Sequence, residues 1–214
     1  VDKIEIQKAT LHVYKGKNGV VNTNIFRSKP KEKKSKSSTD ATVDEIVFDQ
    51  VHFISENQMG HKLFDFDVVK LQSQINHEND NWHANLYLKT FAKSMAFNTN
   101  RGSFMKNKMV EGVLKLNFIK ATNQISIATE NFGIGEELFD INAHFSLDQN
   151  KSPFDIAIKT KILWRDASAL LSANISNKIN QFDLKKPIDV SCTIVGDMAA
   201  YGDPEIVVNT KIKN

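Results

Sequence analysis

The sequence predicts a mainly β protein, built as a large, strongly curved antiparallel β-sheet with one amphipathic helix in its C-terminal half. Apolar and polar residues alternate along most of the chain, as in residues 137–148, where Phe139, Ile141 and Phe145 share one side of the predicted strand. The connections between such segments are short, which favours antiparallel neighbours in a groove-like meander. A period of three to four residues replaces the alternation only in residues 165–182.

Composition indicates one β-rich globular domain over residues 1–214. The chain is 41% hydrophobic and 25% charged, and no apolar run approaches the roughly 20 residues of a membrane span. Because it does not begin with Met, we expect a fragment of a longer chain. The lone Cys192 excludes an intramolecular disulfide. The net charge of +3 comes mostly from Lys, so nucleic acid is not an expected partner.

The strand predictions follow the alternation in order along the chain. An Asn-Gly pair in residues 15–19 predicts a hairpin turn, a bend is expected near Asp49–Gln50, and a change of face between Val68 and Leu71 predicts a bulge. The strand patterns occupy residues 3–15, 19–27, 43–56, 61–78, 82–91, 110–120, 125–130, 137–148, 154–163, 187–196 and 204–213.

Two segments depart from the strand pattern. Residues 28–42 are polar, cationic and low in complexity, which predicts a flexible basic loop. Residues 165–182 carry apolar residues at helical spacing, which predicts one amphipathic helix with Asp166 as its N-cap.

The predicted sheet carries more apolar surface than the helix can cover. Roughly a dozen strands with about three apolar side chains each leave far more than a few hundred Å² to be hidden. The sheet could fold on itself, meet another chain or hold a ligand. An open trough would suit an acyl chain, which gains about 0.8 kcal/mol for each buried methylene. The predicted lining of that trough is Trp82, Leu86, Leu88, Leu114, Leu116, Phe118, Ile125, Ile127, Phe139, Ile141, Phe145, Phe154, Ile156 and Ile158.

Motifs for catalysis are absent from the sequence. It has no phosphate-binding glycine loop, no dinucleotide fingerprint, no nucleophile elbow and no metalloprotease helix, so we expect no enzyme activity and no cofactor. The turn that holds His77, Glu78, Asp80 and His83 is the best metal candidate, but a polar turn explains it better and no metal is predicted. Cys192 lies in a strand pattern, where an inert buried thiol is the expected reading.

Three stretches of the chain resemble the AsmA-like proteins of Gram-negative bacteria, particularly those of the Bacteroides group. They are a strand pair leading into a polar loop, a helix before a Lys-Pro-Ile-Asp strand start, and a Gly-Asp-Pro turn before a last strand: "IEIQKATLHVYKGKNGVVNTNIF", "LLSANISNKINQFDLKKPIDV" and "GDPEIVVNTKIKN". The resemblance implies a β-groove like that of bridge-type lipid transfer proteins. It also implies a periplasmic protein of outer-membrane biogenesis, anchored in the inner membrane by a segment absent from this chain.

Residues and resemblance together give one leading hypothesis and two rivals. The leading one is a non-catalytic lipid-transport module of outer-membrane assembly, whose apolar concave face holds phospholipid or another acyl lipid. The first rival is a closed-core structural or adhesion β module that acts through contacts with other proteins, including envelope proteins. The second is a hydrolase whose residues meet only in space.

Overall fold

One twelve-stranded sheet makes up most of the molecule. The structure, a computed structural model, describes residues 2–23, 42–147, 152–182, 184–198 and 204–211. No helix within those ranges is long and apolar enough to cross a bilayer. The strands are β1 (Lys3–Gln7), β2 (Thr10–Lys15), β3 (Glu45–Asn57), β4 (Lys62–Glu78), β5 (Asn81–Asn98), β6 (Gly102–Phe104), β7 (Lys108–Ile119), β8 (Gln124–Ile134), β9 (Glu137–Ser146), β10 (Pro153–Ile162), β11 (Ile188–Asp197) and β12 (Glu205–Lys211).

The predicted fold class is confirmed, and the sheet is open. Its hydrogen-bonded order is β1-β3-β4-β5-β7-β8-β9-β10-β11-β12, with β2 beside β3 and β6 beside β5. From β3 to β12 every neighbouring pair is antiparallel, as the short connections predict. Within the described ranges no ladder joins β12 back to the β1 side, so the sheet does not close into a barrel.

The two N-terminal strands make the sheet mixed rather than wholly antiparallel. Both β1 and β2 run parallel to β3. A parallel neighbour needs a long return connection, and residues 16–44 provide it. The turn in residues 15–19 is present, with Gly19 N–H donating to Gly16 O at 2.9 Å, and Val21 bridges back to Lys15. The predicted loop lies outside the described residues except for Thr42, as do residues 24–27 of the predicted second strand, and in its described part Val21 alone forms a β-bridge.

A line of irregularities crosses the sheet and bends its long strands. Lys8 and Gln50 adopt left-handed backbone conformations, with φ of 49° and 54°. Register shifts follow between Val68 and Lys70 in β4, between Glu111 and Val113 in β7, and between Ala128 and Phe132 in β8. The bend expected near Gln50 and the bulge expected after Val68 both lie on this line. β4 and β5 continue through this line as strands of 17 and 18 residues. Because bulges increase local bending and twist, we infer that both strands bend where they cross it.

The predicted single helix over 165–182 is two short helices, α1 (Trp164–Leu170) and α2 (Ala173–Ile179). Leu171 and Ser172 between them are extended, with ψ of 156° and 151°. The backbone N–H of Met105, just after β6, donates a hydrogen bond to Leu170 O at 2.8 Å. This bond satisfies a carbonyl of the last turn of α1 that has no partner within the helix. Asp166 lies inside the first turn and pairs with Arg165, so it is not the N-cap.

Bending at the irregular line lets the sheet cover part of its own apolar face. The buried core cluster joins Ala92 of β5 to Phe139 of β9 and Ile162 of β10. Phe66 of β4 and both Ala167 and Leu170 of α1 pack against the same cluster. The ring of Phe97, near the end of β5, stacks on Phe154 at the start of β10, with 6.4 Å between centroids. The first half of β4 and the second half of β5 therefore pack against the strands that follow them.

Gly112 is required where β7 meets the bulge of β8. A Cβ at this position would lie 2.6 Å from Phe132 Cα and 2.8 Å from Asn131 O, both of them backbone atoms. We predict that Gly112→Ala lowers the free energy of unfolding by about 1–3 kcal/mol, because the bulge must shift to admit the methyl group. Chemical denaturation measures the change.

Gly133→Ala is the matched control, since its Cβ would have no neighbour closer than 3.7 Å. Equal destabilisation by both substitutions would contradict the role assigned to the close contact at Gly112.

Candidate functional site

All fourteen residues predicted to line a trough lie on one face of the sheet. Residues directly opposite each other on paired strands point to the same side. Trp82 opposes Phe118, Phe118 opposes Ile125, and Ile125 opposes Phe145. Phe145 in turn opposes Phe154, which completes a row across five strands. The remaining nine lie an even number of residues from this row along the same strands and so point to the same side. We call this side of the sheet the apolar face.

Burial divides the apolar face into two parts. Phe139 and Phe154 are buried, at 8% and 4% exposure, while the other twelve predicted residues are half-buried. Phe139 belongs to the core cluster, and Leu114, Ile141 and Ile158 pack against it. These four residues therefore lie in an ordinary closed core. From the sequence alone it was open which strands line a trough and which pack under the helix.

The other part is a contiguous half-buried patch outside the core cluster. Trp82 stacks on Phe118 with 5.6 Å between ring centroids and 22° between planes. Leu116 opposes Ile127, and Ile127 opposes Ala143, which opposes Ile156. The members of this patch, called the Trp82 patch below, are Trp82, Leu86, Leu88, Leu116, Phe118, Ile125, Ile127, Phe145 and Ile156.

The opposite side of the sheet, the polar face, carries ion pairs. Lys89 Nζ lies 2.8 Å from Glu111 Oε2, and Lys115 Nζ lies 2.8 Å from Glu130 Oε2. The hydrogen bond from Lys89, followed by that from Tyr87, lowers the pKa of the Glu111 carboxyl. The same bond to Glu111 raises the pKa of Lys89. Water-exposed charge on this face means that any apolar ligand must use the other one.

The side chains suggested as a metal site do not converge. His77 opposes Trp82 and His83 opposes Asn76, so the two imidazoles lie on opposite faces. His77 Nε2 instead contacts Val43 O at 3.0 Å. Across the described part of the chain, no group of three or more His, Cys, Asp or Glu side chains is arranged to hold a metal ion. Cys192 is half-buried opposite Ile158, and burial raises the pKa of its thiol, which disfavours the reactive thiolate.

Cavities in the structure bear on how a ligand could bind. A cavity of about 490 Å³ lies over the polar face between His83, Lys115 and His144. On the apolar side, a cavity of about 80 Å³ lies between Phe97, Ile175 and Ile206. The second volume is far below the roughly 300 Å³ of the smallest usual ligand pocket. This cavity is therefore too small to hold an acyl chain.

The residues that cover the core were missed in the sequence. The strand predicted over 82–91 continues to Asn98, and its extension supplies Ala92 and Phe97. An alternation does persist beyond residue 91, but the bulge in β5 opposite Asp65–Phe66 changes its phase. The apolar spacing after residue 91 is therefore irregular, and no strand is predicted there.

Two matched truncations test the division of the apolar face. We predict that Phe139→Ala costs about 3–5 kcal/mol of unfolding free energy, because it leaves a cavity in the closed core. Phe118→Ala should cost less than half as much, since Phe118 is half-buried in the Trp82 patch and removes less apolar area from water. Equal losses in urea unfolding would mean that the patch is part of the closed core.

Comparison with known proteins adds no family to this geometry. No protein-family model, no curated protein and no solved structure matches the chain. Any function must therefore be proposed from the sequence and from the two faces of the sheet.

Proposed function

We propose that this protein is a non-catalytic lipid-binding and lipid-transport module that holds acyl chains on the Trp82 patch. The observation that carries the proposal is the patch itself, nine large apolar side chains that stay half-buried although a closed core exists beside them. Contiguous apolar surface of this kind is rare on a soluble protein unless it binds something.

The dimensions of the patch suit an extended aliphatic chain. It crosses five neighbouring strands, β5, β7, β8, β9 and β10, which corresponds to about 19 Å at the usual strand spacing. About ten methylenes buried along it would gain roughly 8 kcal/mol before the cost of ordering the lipid. The members of the patch carry no charged group, so binding would depend on apolar contact area more than on hydrogen bonds. Phospholipid or another acyl lipid is the ligand class that fits.

The open sheet also favours a trough over a sealed cavity. Among the described residues its order ends at β12 without returning to β1, so a ligand on the apolar face can extend past the strands that hold it. The resemblance to AsmA-like proteins supplies the proposed setting. This is the periplasm of a Gram-negative bacterium, with anchorage in the inner membrane by a segment outside this chain, in outer-membrane biogenesis.

A closed-core structural or adhesion module is the second candidate, and one observation favours it. Phe139 and its neighbours are sealed under α1 and the second half of β5, as in any β protein with a conventional core. In that case the Trp82 patch would contact another envelope protein. Lipid-binding experiments on the patch distinguish the two candidates.

The first experiment uses Trp82 as a local reporter. Trp164→Phe leaves Trp82 as the only tryptophan in the sequence, and we predict that phospholipid with brominated acyl chains quenches its fluorescence on binding. Quenching requires contact between the bromine atoms and the indole, so it reports the patch itself. In the matched variant Trp82→Phe, Trp164 should keep its emission because it lies on α1 and packs edge-to-face against Phe182. Quenching of Trp164 but not Trp82 would contradict the proposed site.

The second experiment puts a charge into the patch. Phe118→Glu should abolish retention of phospholipid through gel filtration, measured by phosphorus assay of the organic extract, because a carboxylate on this face repels acyl chains. Its neighbour Asn117 is exposed on the polar face, so Asn117→Glu adds the same charge as a control and should retain lipid fully. A Phe118→Glu protein that melts like the parent and still retains lipid would contradict the proposal.

A further inference from the structure

The two edges of the sheet differ in whether the outer hydrogen-bonding groups of the edge strand are occupied. At the C-terminal edge, β12 pairs with β11, and no other described strand lies beyond it. Apolar side chains near this edge are exposed on both faces. Val195 and Val207 lie on the polar face at 48% and 46% exposure, and Val208 lies on the apolar face at 49%. An exposed edge strand with apolar side chains is prone to pair with a strand of another chain.

The N-terminal edge is capped by the chain itself. Asn22 Nδ2 donates to the carbonyl of His12, and the backbone N–H of Tyr14 donates to Asn22 Oδ1 at 2.9 Å. These bonds occupy the outer edge of β2. Antiparallel self-pairing of β1 about its centre would set Glu5 against Glu5 of another copy, which is unfavourable. This edge is therefore protected against adding a strand, whereas β12 has no comparable cap among the described residues.

We propose that β12 pairs antiparallel with β12 of a second copy of this chain, about a twofold axis at Val208. The strand reads Glu205-Ile206-Val207-Val208-Asn209-Thr210-Lys211, so this register sets Glu205 opposite Lys211 at both ends. Val208 meets Val208 of the second copy. The pairing is inferred from the strand edge alone and does not depend on lipid binding.

Charge complementarity selects this register over its neighbours. Glu205 and Lys211 are both exposed, and both lie on the polar face because they oppose Val195 and Asp189 of β11. A shift of the axis to Val207 or Asn209 loses both of these contacts between Glu205 and Lys211. Main-chain hydrogen bonds of the added strand supply affinity, and the two charge pairs supply the register.

The pairing would extend the apolar face across two molecules. A twofold axis perpendicular to the sheet keeps the two apolar faces on the same side. The row formed by Ile158, Cys192 and Val208 would then continue into the same row of the second copy. If the proposed function holds, the two Trp82 patches lie on one continuous surface.

Sedimentation velocity on the whole chain tests the pairing. We expect a concentration-dependent monomer–dimer equilibrium, and Glu205→Lys should raise the dimer Kd by roughly tenfold or more, because two attractive contacts become repulsive. The double variant Glu205→Lys with Lys211→Glu should restore the parental Kd. Glu78→Lys makes the same charge change at a turn where the side chain is 74% exposed, and it should leave the Kd unchanged.

Several results would overturn the proposal. A chain that stays monomeric at all concentrations leaves β12 without a second copy as its partner. If Glu205→Lys leaves the dimer Kd unchanged, the dimer contact lies elsewhere on the molecule. If the double variant does not recover the parental Kd, the proposed register is wrong. Glu205→Lys leaves the Trp82 patch intact, so lipid retention by this variant separates failure of the pairing from failure of the proposed function.

Cysteine cross-linking reads the register directly. In a Cys192→Ala background, which prevents a bond to the native thiol, Val208→Cys should form an intermolecular disulfide on oxidation, since opposed residues lie within disulfide reach. Val207→Cys should not, because residue 207 opposes residue 209 of the second copy and its own counterpart lies beyond about 7 Å. Equal cross-linking at both positions would contradict the register.

Discussion

The need to cover one apolar face governs this structure. Most strands present mainly apolar side chains on one side and mainly polar or charged ones on the other, so a flat sheet of the twelve described strands would leave its apolar side exposed. Two short helices cover little of it. The sheet instead bends at the irregular line that passes through Gln50 and Gly112, and its long strands β4 and β5 fold over the strands that follow. The core, the half-buried patch and the open edge all follow from how far this bending reaches.

Period and alternation were enough to predict the fold class and the common face of the fourteen predicted lining residues. Trp82, Leu116 and Ile156, far apart in sequence, occupy one side because alternation fixes direction and short connections fix pairing. Alternation does not encode where a strand bends through a bulge. The extension of β5 to Asn98 was missed for that reason, and with it the contact of Phe97 with Phe154.

Long-range partners set the other departures from the sequence prediction. The segment over 165–182 has helical spacing throughout. However, the backbone N–H of Met105, in a distant turn, donates to the carbonyl of Leu170, and the first helix ends there. The parallel pairing of β1 and β2 depends on the return path of the chain, which local pattern does not specify. The candidate site was predictable as a set of residues sharing a face. Its division into a closed core and the Trp82 patch was not, because that depends on what folds over it.

The two sides of the sheet therefore differ in chemistry. The ion pairs of the polar face, such as Lys115 with Glu130, keep that side in water. We propose that the Trp82 patch holds a ligand. Native mass spectrometry of protein purified without detergent is the most direct test of this assignment. The account predicts a population with the added mass of a phospholipid or another acyl lipid, and an unliganded mass at every stage of purification would contradict it.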